Sequence, residues 1–264
     1  MSNKIQIHKK SDFDGMRKAG RLAAEVLQYI EPMVVSGVTT LELNDLCHSF
    51  IVARNAIPAP LNYKGFSKSI CTSVNNVVCH GIPSETQKLW DGDIINIDIT
   101  VIVDGWHGDT SKTFFVGNLP KKISPKVRKI IKLVDVAKEA MFKGIEVVKP
   151  KAKLSDIGKA IESYVLPFNF SIVQDYCGHG IGRVFHDAPS VLHYNASDFD
   201  FYDVELEEGM FFTIEPMINI GSFSTVLSNL DGWTVFTRDG CLSAQFEHTV
   251  GVTSDGVEIF TTLG

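Results

Sequence analysis

The sequence lacks any apolar run long enough to span a bilayer. Its opening residues, Lys-rich and polar, lack the apolar core of a secretory leader. Its 5 cysteines are odd in number and follow no repeated spacing. That excludes a disulfide framework and points to reduced thiols in a cytoplasmic protein. A basic excess is also missing. Lys+Arg 25 against Asp+Glu 31 gives a net charge of −6, which argues against a dedicated nucleic-acid binder. What is present is ordinary for a globular chain: 44% hydrophobic and 21% charged residues over 264 positions. A chain of that length buries a large core without staples.

Helix signals come in pairs. Ser11-Asp12-Phe13-Asp14 reads as a capping box with Asp in place of Glu, opening a helix to about Ile30, before Pro32. Thr39-Thr40-Leu41-Glu42 opens a second helix through about Arg54. Strands and turns fill Tyr63 to Val116, and Gly117-Asn118-Leu119-Pro120 breaks the pattern. A long helix is expected from about Ser124 to Gly144. Another opens at Ser155-Asp156 and ends near Pro167, followed by strands and turns.

Two helices then strands, twice over, suggest a duplicated half-domain. Short strings repeat in the same order. His80-Gly81-Ile82-Pro83-Ser84 is echoed by His186-Asp187-Ala188-Pro189-Ser190. Asp91-Gly92-Asp93-Ile94-Ile95-Asn96-Ile97-Asp98 is echoed by Glu208-Gly209-Met210-Phe211-Phe212-Thr213-Ile214-Glu215. We expect one catalytic domain, 1–264, with halves at about 11–118 and 119–258. A pseudo-two-fold would bring Asp98 and Glu215 to facing positions.

The chemistry concentrates in one hairpin. Asp104-Gly105 between two alternating runs is a two-residue turn signal. Counting back from Val103 opposite Trp106 puts Thr100 opposite Asp109, with Asp98 its diagonal neighbour, roughly 7–8 Å away backbone to backbone. Ile95, Ile97, Ile99, Val101 and Val103 share one face; Asn96, Asp98 and Thr100 share the other. Two carboxylates so close, beside an apolar sheet, do not both ionise unaided. One keeps a proton, or cations sit between them.

Glu215 shares strand parity with Thr213, and Glu247 with Gln245 and Thr249. A lone strand Glu is usually exposed. Four carboxylates on polar stripes of a duplicated fold are a different proposition. His179 lies in Gly178-His179-Gly180-Ile181-Gly182, where glycines let backbone pack close to a site. The alternatives are a Gly-rich turn with a solvated His or, more weakly, a dinucleotide loop, although no helix pattern opens there. Four carboxylates and one imidazole suit two divalent ions, −4 balanced by +4, and favour Mn, Fe or Co, with Zn also compatible. A single ion would leave −2 in a low-dielectric pocket.

Taken together, Val78-Cys79-His80-Gly81-Ile82-Pro83, Asn96-Ile97-Asp98-Ile99-Thr100, His107-Gly108-Asp109-Thr110-Ser111, Cys177-Gly178-His179-Gly180-Ile181-Gly182, Thr213-Ile214-Glu215-Pro216-Met217 and Gln245-Phe246-Glu247-His248-Thr249 are recognisable. With them the chain resembles the type I methionine aminopeptidases over nearly its whole length. The resemblance implies the α+β pita-bread fold, two pseudo-symmetric halves enclosing a central dimetal site. It implies Asp98, Asp109, His179, Glu215 and Glu247 as ligands of two divalent ions. Glu215 would also move a proton, and His80 and His186 would contact substrate. The implied reaction is metal-assisted removal of N-terminal methionine from nascent proteins and peptides, with a small second residue preferred.

By the same resemblance Tyr63, Phe66, Cys71, Phe185 and Trp233 line the methionine pocket; as residue types they fit an ordinary core equally well. Ser67 stands where relatives often carry proline. A basic run, Lys121, Lys122, Lys126, Arg128, Lys129 and Lys132, reads as a solvated helix face or a transient ribosome contact. A monomer is expected. Two rival functions stand beside this reading. One is a proline-specific peptidase of the same fold, which usually carries a further N-terminal domain. The other is a metal-free peptide-binding pseudoenzyme, which typically lacks a ligand.

Overall fold

A computed structural model describes residues 4–117, 123–196 and 203–264. Met1 to Asn3, the break at Asn118-Leu119-Pro120 and the basic pair Lys121 and Lys122 lie outside the described residues.

Helices α1 (Phe13–Ile30) and α2 (Thr40–Val52) precede strands β1 (Ile57–Pro58), β2 (Cys71–Val74), β3 (Val77–Cys79), β4 (Ile94–Val103) and β5 (Trp106–Phe115). Helices α3 (Pro125–Glu146) and α4 (Leu154–Val165) precede β6 (Ser171–Ile172), β7 (Gly178–Gly180), β8 (Asp187–Val191) and β9 (Phe211–Ile214). Then come β10 (Met217–Asn219), β11 (Thr225–Leu227), β12 (Val235–Thr237), β13 (Ser243–Gln245), β14 (Glu247–Val252) and β15 (Val257–Ile259).

The helix starts follow local chemistry, with two displacements. Thr39 caps α2 as expected: its Oγ1 accepts from the Glu42 N–H at 3.1 Å, and Glu42 Oε2 accepts from the Thr39 N–H at 2.7 Å. Ser124 Oγ accepts from Val127 N–H at 3.2 Å ahead of α3. The Ser11 box does not form. A 3-10 turn, Lys10–Asp12, precedes α1, and Asp12 instead accepts the Lys9 N–H at 2.9 Å. The helix expected to open at Ser155-Asp156 starts a residue earlier, at Leu154: Asp156 accepts the Lys153 N–H at 2.9 Å, and Ser155 Oγ donates to Asp203 at 2.8 Å. In both cases a carboxylate three residues on reaches back to a lysine amide, leaving the serine free for other partners.

Among the described residues nine strands form the main sheet in the order β1-β4-β5-β14-β9-β7-β8, with β2 on β4 and β15 on β14; β13-β10-β6 and β11-β12-β3 form two small sheets. The hairpin β4–β5 has the register read from sequence, Val103 opposite Trp106 and Thr100 opposite Asp109. Its turn residues Asp104 and Gly105 both take positive φ, 50° and 78°, as a mirror-image two-residue turn requires. Ile95, Ile97, Ile99 and Val101 are fully buried in one core with α1 and α2. A second core gathers α3 and α4 against Phe212, Ile214 and Val250. Gly158 of α4 lies against the main-chain carbonyls of Leu192 and Tyr194, where a Cβ would collide. No helix among the described residues is long and apolar enough to cross a membrane. All 5 cysteines are free.

Candidate metal centre and adjoining pocket

Regular pairing places the first two carboxylates. Asp109 is locked in its ladder: its N–H donates to Thr249 Oγ1 at 3.2 Å, and that hydroxyl donates back to the Asp109 carbonyl at 2.7 Å. Thr100 Oγ1, directly across the hairpin, donates to Asp109 Oδ1 at 2.7 Å. Asp98 Oδ1 is buried without a hydrogen-bond partner among the described residues. Glu247, at the start of β14, faces Ser111 of β5 and is buried.

His179 reaches the cluster from β7, squeezed between β9 and β8. A Cβ at Gly178 would strike the Thr213 carbonyl, and one at Gly180 the Ala188 carbonyl. Only glycine on both sides lets this strand lie so deep. The His179 N–H donates to Thr213 Oγ1 at 3.0 Å, and that hydroxyl donates to Glu215 Oε1 at 2.8 Å. His179 Nδ1 stands 3.1 Å from the Gly180 carbonyl, which can only accept, so Nδ1 carries the proton. The Nε2 lone pair faces Asp109 Oδ2 at 3.6 Å and Glu215 Oε1 at 3.7 Å. One donor atom each of Asp109, His179 and Glu247 lie within 4.8 Å of one another.

Burial decides the electrostatics. It pushes Asp98 up to about 7 and Glu215 up to about 8. Asp109 and Glu247 are raised as well, first by burial and then by neighbouring carboxylates. Burial lowers His179 to about 4, which leaves a neutral imidazole ready to ligate. The donor set fits divalent cations. Their charge would stabilise the ionised carboxylates, and the unpartnered Asp98 Oδ1 would gain a partner.

A cavity of about 350 Å³ opens onto this cluster. Its lining includes all five residues of the cluster, together with His80, His186, Tyr63, Phe66, Cys71, Phe185 and Trp233. The structure therefore brings every sequence-predicted site residue into one place. His186 Nδ1 stands 3.0 Å from the Tyr63 hydroxyl, and burial lowers its pKa to about 3. His80 takes a left-handed φ of 56°, uncommon outside glycine and frequent at functional positions. Phe66 and Trp233 meet edge to face at 5.3 Å. Cys79, Tyr176 and Met217 also line the cavity, and sequence reading missed them. Cys79 and Tyr176 sit within or beside the quoted motifs, and that adjacency was the available signal. Burial raises the Cys71 and Cys79 thiols, so neither is a ready nucleophile.

Comparison with known proteins gives a consistent picture. A family model described as metallopeptidase family M24 matches residues 14–254. Methionine aminopeptidase of Rickettsia prowazekii (strain Madrid E) is 61% identical over 257 residues, covering 97% of this chain and 95% of the relative. A crystal structure of methionine aminopeptidase from Rickettsia prowazekii superposes with a TM-score of 0.92 at 60% identity, covering 98% of this chain and 100% of that one. An Xaa-Pro dipeptidase from Bacillus anthracis shares the fold at a TM-score of 0.72 and 20% identity, matching 97% of this chain but 62% of its own.

Proposed function

The chain belongs to metallopeptidase family M24 and is a metallo-aminopeptidase that removes N-terminal methionine, and we propose that Asp98, Asp109, His179, Glu215 and Glu247 hold two divalent cations for that reaction. The four carboxylates would supply oxygen ligands and His179 its Nε2, left bare by the proton on Nδ1. The oxygen-rich set favours Mn, Fe or Co, with Zn also compatible. When bound, the ions lower the pKa of water and polarise the scissile carbonyl.

The protein's own groups do the rest. Glu215, with Thr213 on one carboxyl oxygen and Gln245 on the other, moves a proton toward the leaving amine. His186, tied to Tyr63, contacts the scissile amide, and His80 assists as a hydrogen-bonding or proton-transfer group. Tyr63, Phe66, Cys71, Phe185 and Trp233 receive the methionine side chain, whose thioether packs well on aromatic edges. The wall excludes water and rejects charged first residues; a misfit there is worth about 1–3 kcal/mol. A small second residue is preferred, so Met-Ala peptides turn over faster than Met-Lys peptides.

The same proposal includes one catalytic domain of two pseudo-symmetric halves, about 11–118 and 119–258. It includes a monomeric, cytoplasmic protein acting on nascent N-termini, with transient ribosome contact through the basic face of α3. The observation that carries the metal assignment is the buried, unpartnered Asp98 oxygen amid carboxylates that burial pushes toward protonation. The test is hydrolysis of Met-Ala-Ser by chelator-stripped protein, with Mn, Fe, Co and Zn returned one at a time. Turnover that depends on the returned metal supports the assignment. Full turnover by the stripped protein overturns it.

A further inference from the structure

The strand that carries Glu215 breaks at Glu215. Ile214 pairs with His248 in the main sheet. Met217 pairs with Gln245 in a small sheet. Between them Glu215 and Pro216, opposite Glu247 and Phe246 in unchanged register, are paired in neither ladder. Pro216 has no N–H to satisfy. Glu215 does, and among the described residues no main-chain carbonyl takes it.

The acceptor comes from a side chain. His193, two residues past β8 and 1% exposed, takes the Glu215 N–H on Nε2 at 3.1 Å. An imidazole nitrogen that accepts a backbone N–H carries no proton of its own, so His193 is neutral with its proton on Nδ1. That Nδ1 is buried with no partner among the described residues. A residue present only for packing would be a poor occupant here, because an apolar side chain fills the space without burying a polar atom. The polar groups of Glu215 are thereby held on every side. His193 fixes the N–H, Gln245 approaches the carbonyl at 3.4 Å, and Thr213 and Gln245 hold the carboxylate at 2.8 Å and 3.2 Å. His193 is itself held. The carbonyls on either side of it, of Leu192 and Tyr194, press on Gly158 of α4.

We propose that His193 is the positioning residue of Glu215: its Nε2 supplies the acceptor that the strand break removes, and so fixes where the Glu215 carboxylate stands relative to His179. This rests on the reading that Glu215 is a metal ligand. It acts through the main chain rather than by touching an ion or the substrate. Partners of this kind that orient a ligand typically matter tenfold to a hundredfold in metal affinity.

The test is Mn²⁺ titration of the full-length, chelator-stripped protein by calorimetry. His193→Leu removes the acceptor and is expected to weaken the looser Mn²⁺ site by about tenfold or more. His193→Gln, whose Oε1 reaches the place of Nε2, is expected to restore most of that loss. Long-range proton–nitrogen NMR of the unaltered protein supplies a readout that needs no variant. It is expected to show His193 Nδ1 protonated and Nε2 bare, with a coupling across the hydrogen bond to the Glu215 amide nitrogen. Wild-type Mn²⁺ affinity in a folded Leu variant, equal losses in Leu and Gln, or a protonated Nε2 would each overturn the proposal. If His193→Leu does not fold, the NMR result decides. Failure of the wild-type protein to bind Mn²⁺ would instead overturn the metal assignment.

Discussion

The two sources of carboxylate in this site are built by opposite means. Asp98 and Asp109 stand on a hairpin whose ladder runs unbroken from Ile94 opposite Phe115 to Val103 opposite Trp106. Glu215 stands where a strand stops, and its neighbour His179 lies on a strand of three residues wedged between glycines. In the first region the sheet itself sets each side chain. In the second, side chains replace the missing ladder: Thr213, Gln245 and His193 hold what regular pairing does not. The hairpin half should therefore tolerate loss of an accessory hydrogen bond, and the broken-strand half should not.

The largest effect expected is from removing a ligand outright. Asp109→Asn should abolish binding of two ions and lower kcat/KM by about 10²–10³-fold, the scale of losing a principal electrostatic contributor. Elemental analysis of the purified variant together with Met-Ala-Ser kinetics checks this; full activity would refute the ligand role.

Next in size is a contrast in pH dependence between stripped and loaded protein. Glu215 is raised to about 8 and Asp98 to about 7, so the stripped fold holds protons that the unfolded chain has released. Their contribution to stability is complete below the unfolded carboxylate pKa and is lost as pH rises through the folded values. His179 at about 4 and His186 at about 3 are lowered instead. Their contribution has the opposite sign and is complete above the unfolded His value of about 6.5. Between pH 6.5 and 8 the carboxylates act alone. The stripped protein should lose on the order of 2 kcal/mol there, a few degrees in Tm. Metal-loaded protein should not, because the bound ions have already displaced those protons. Scanning fluorimetry across that range, with and without Mn²⁺, would expose a flat stripped curve if the acid cluster were already ionised.

A smaller effect sharpens the comparison directly. Thr213→Val removes the hydroxyl linking the His179 N–H to Glu215 Oε1. Thr100→Val removes the one that donates to Asp109. The first should weaken Mn²⁺ binding by about tenfold. The second should cost less, because Asp109 also has Thr249 and the ladder. Equal losses in parallel calorimetric titrations would erase the distinction between the two halves. Smallest of all is a control away from the site. Thr39→Ala should cost about 1 kcal/mol of stability by losing the α2 cap while leaving kcat unchanged, measured by chemical denaturation beside kinetics.

What sequence reading recovered follows the same divide. The hairpin register was legible because turn chemistry and period-2 alternation agreed. The Thr39 box was legible because Thr and Glu stand at the required spacing. The Ser11 box and the Ser155-Asp156 helix start were misplaced because Asp12 and Asp156 each reach back to a lysine N–H instead. His193 was invisible for a different reason. Its partner is a backbone N–H set free by a break between two sheets, and no local pattern around His193 reports an event at Glu215. The ligands themselves were named through family likeness. Their residue types and strand parity alone had left open exposed glutamates and a Gly-rich turn.

The glycine at position 158 has a practical consequence for anyone engineering this scaffold. Helix-stabilising substitutions of glycine by alanine are a standard route to hardier enzymes. Here the added methyl would push on the Leu192 and Tyr194 carbonyls and, through the histidine between them, on the reaction centre. A thermostability library should leave that one helical position untouched.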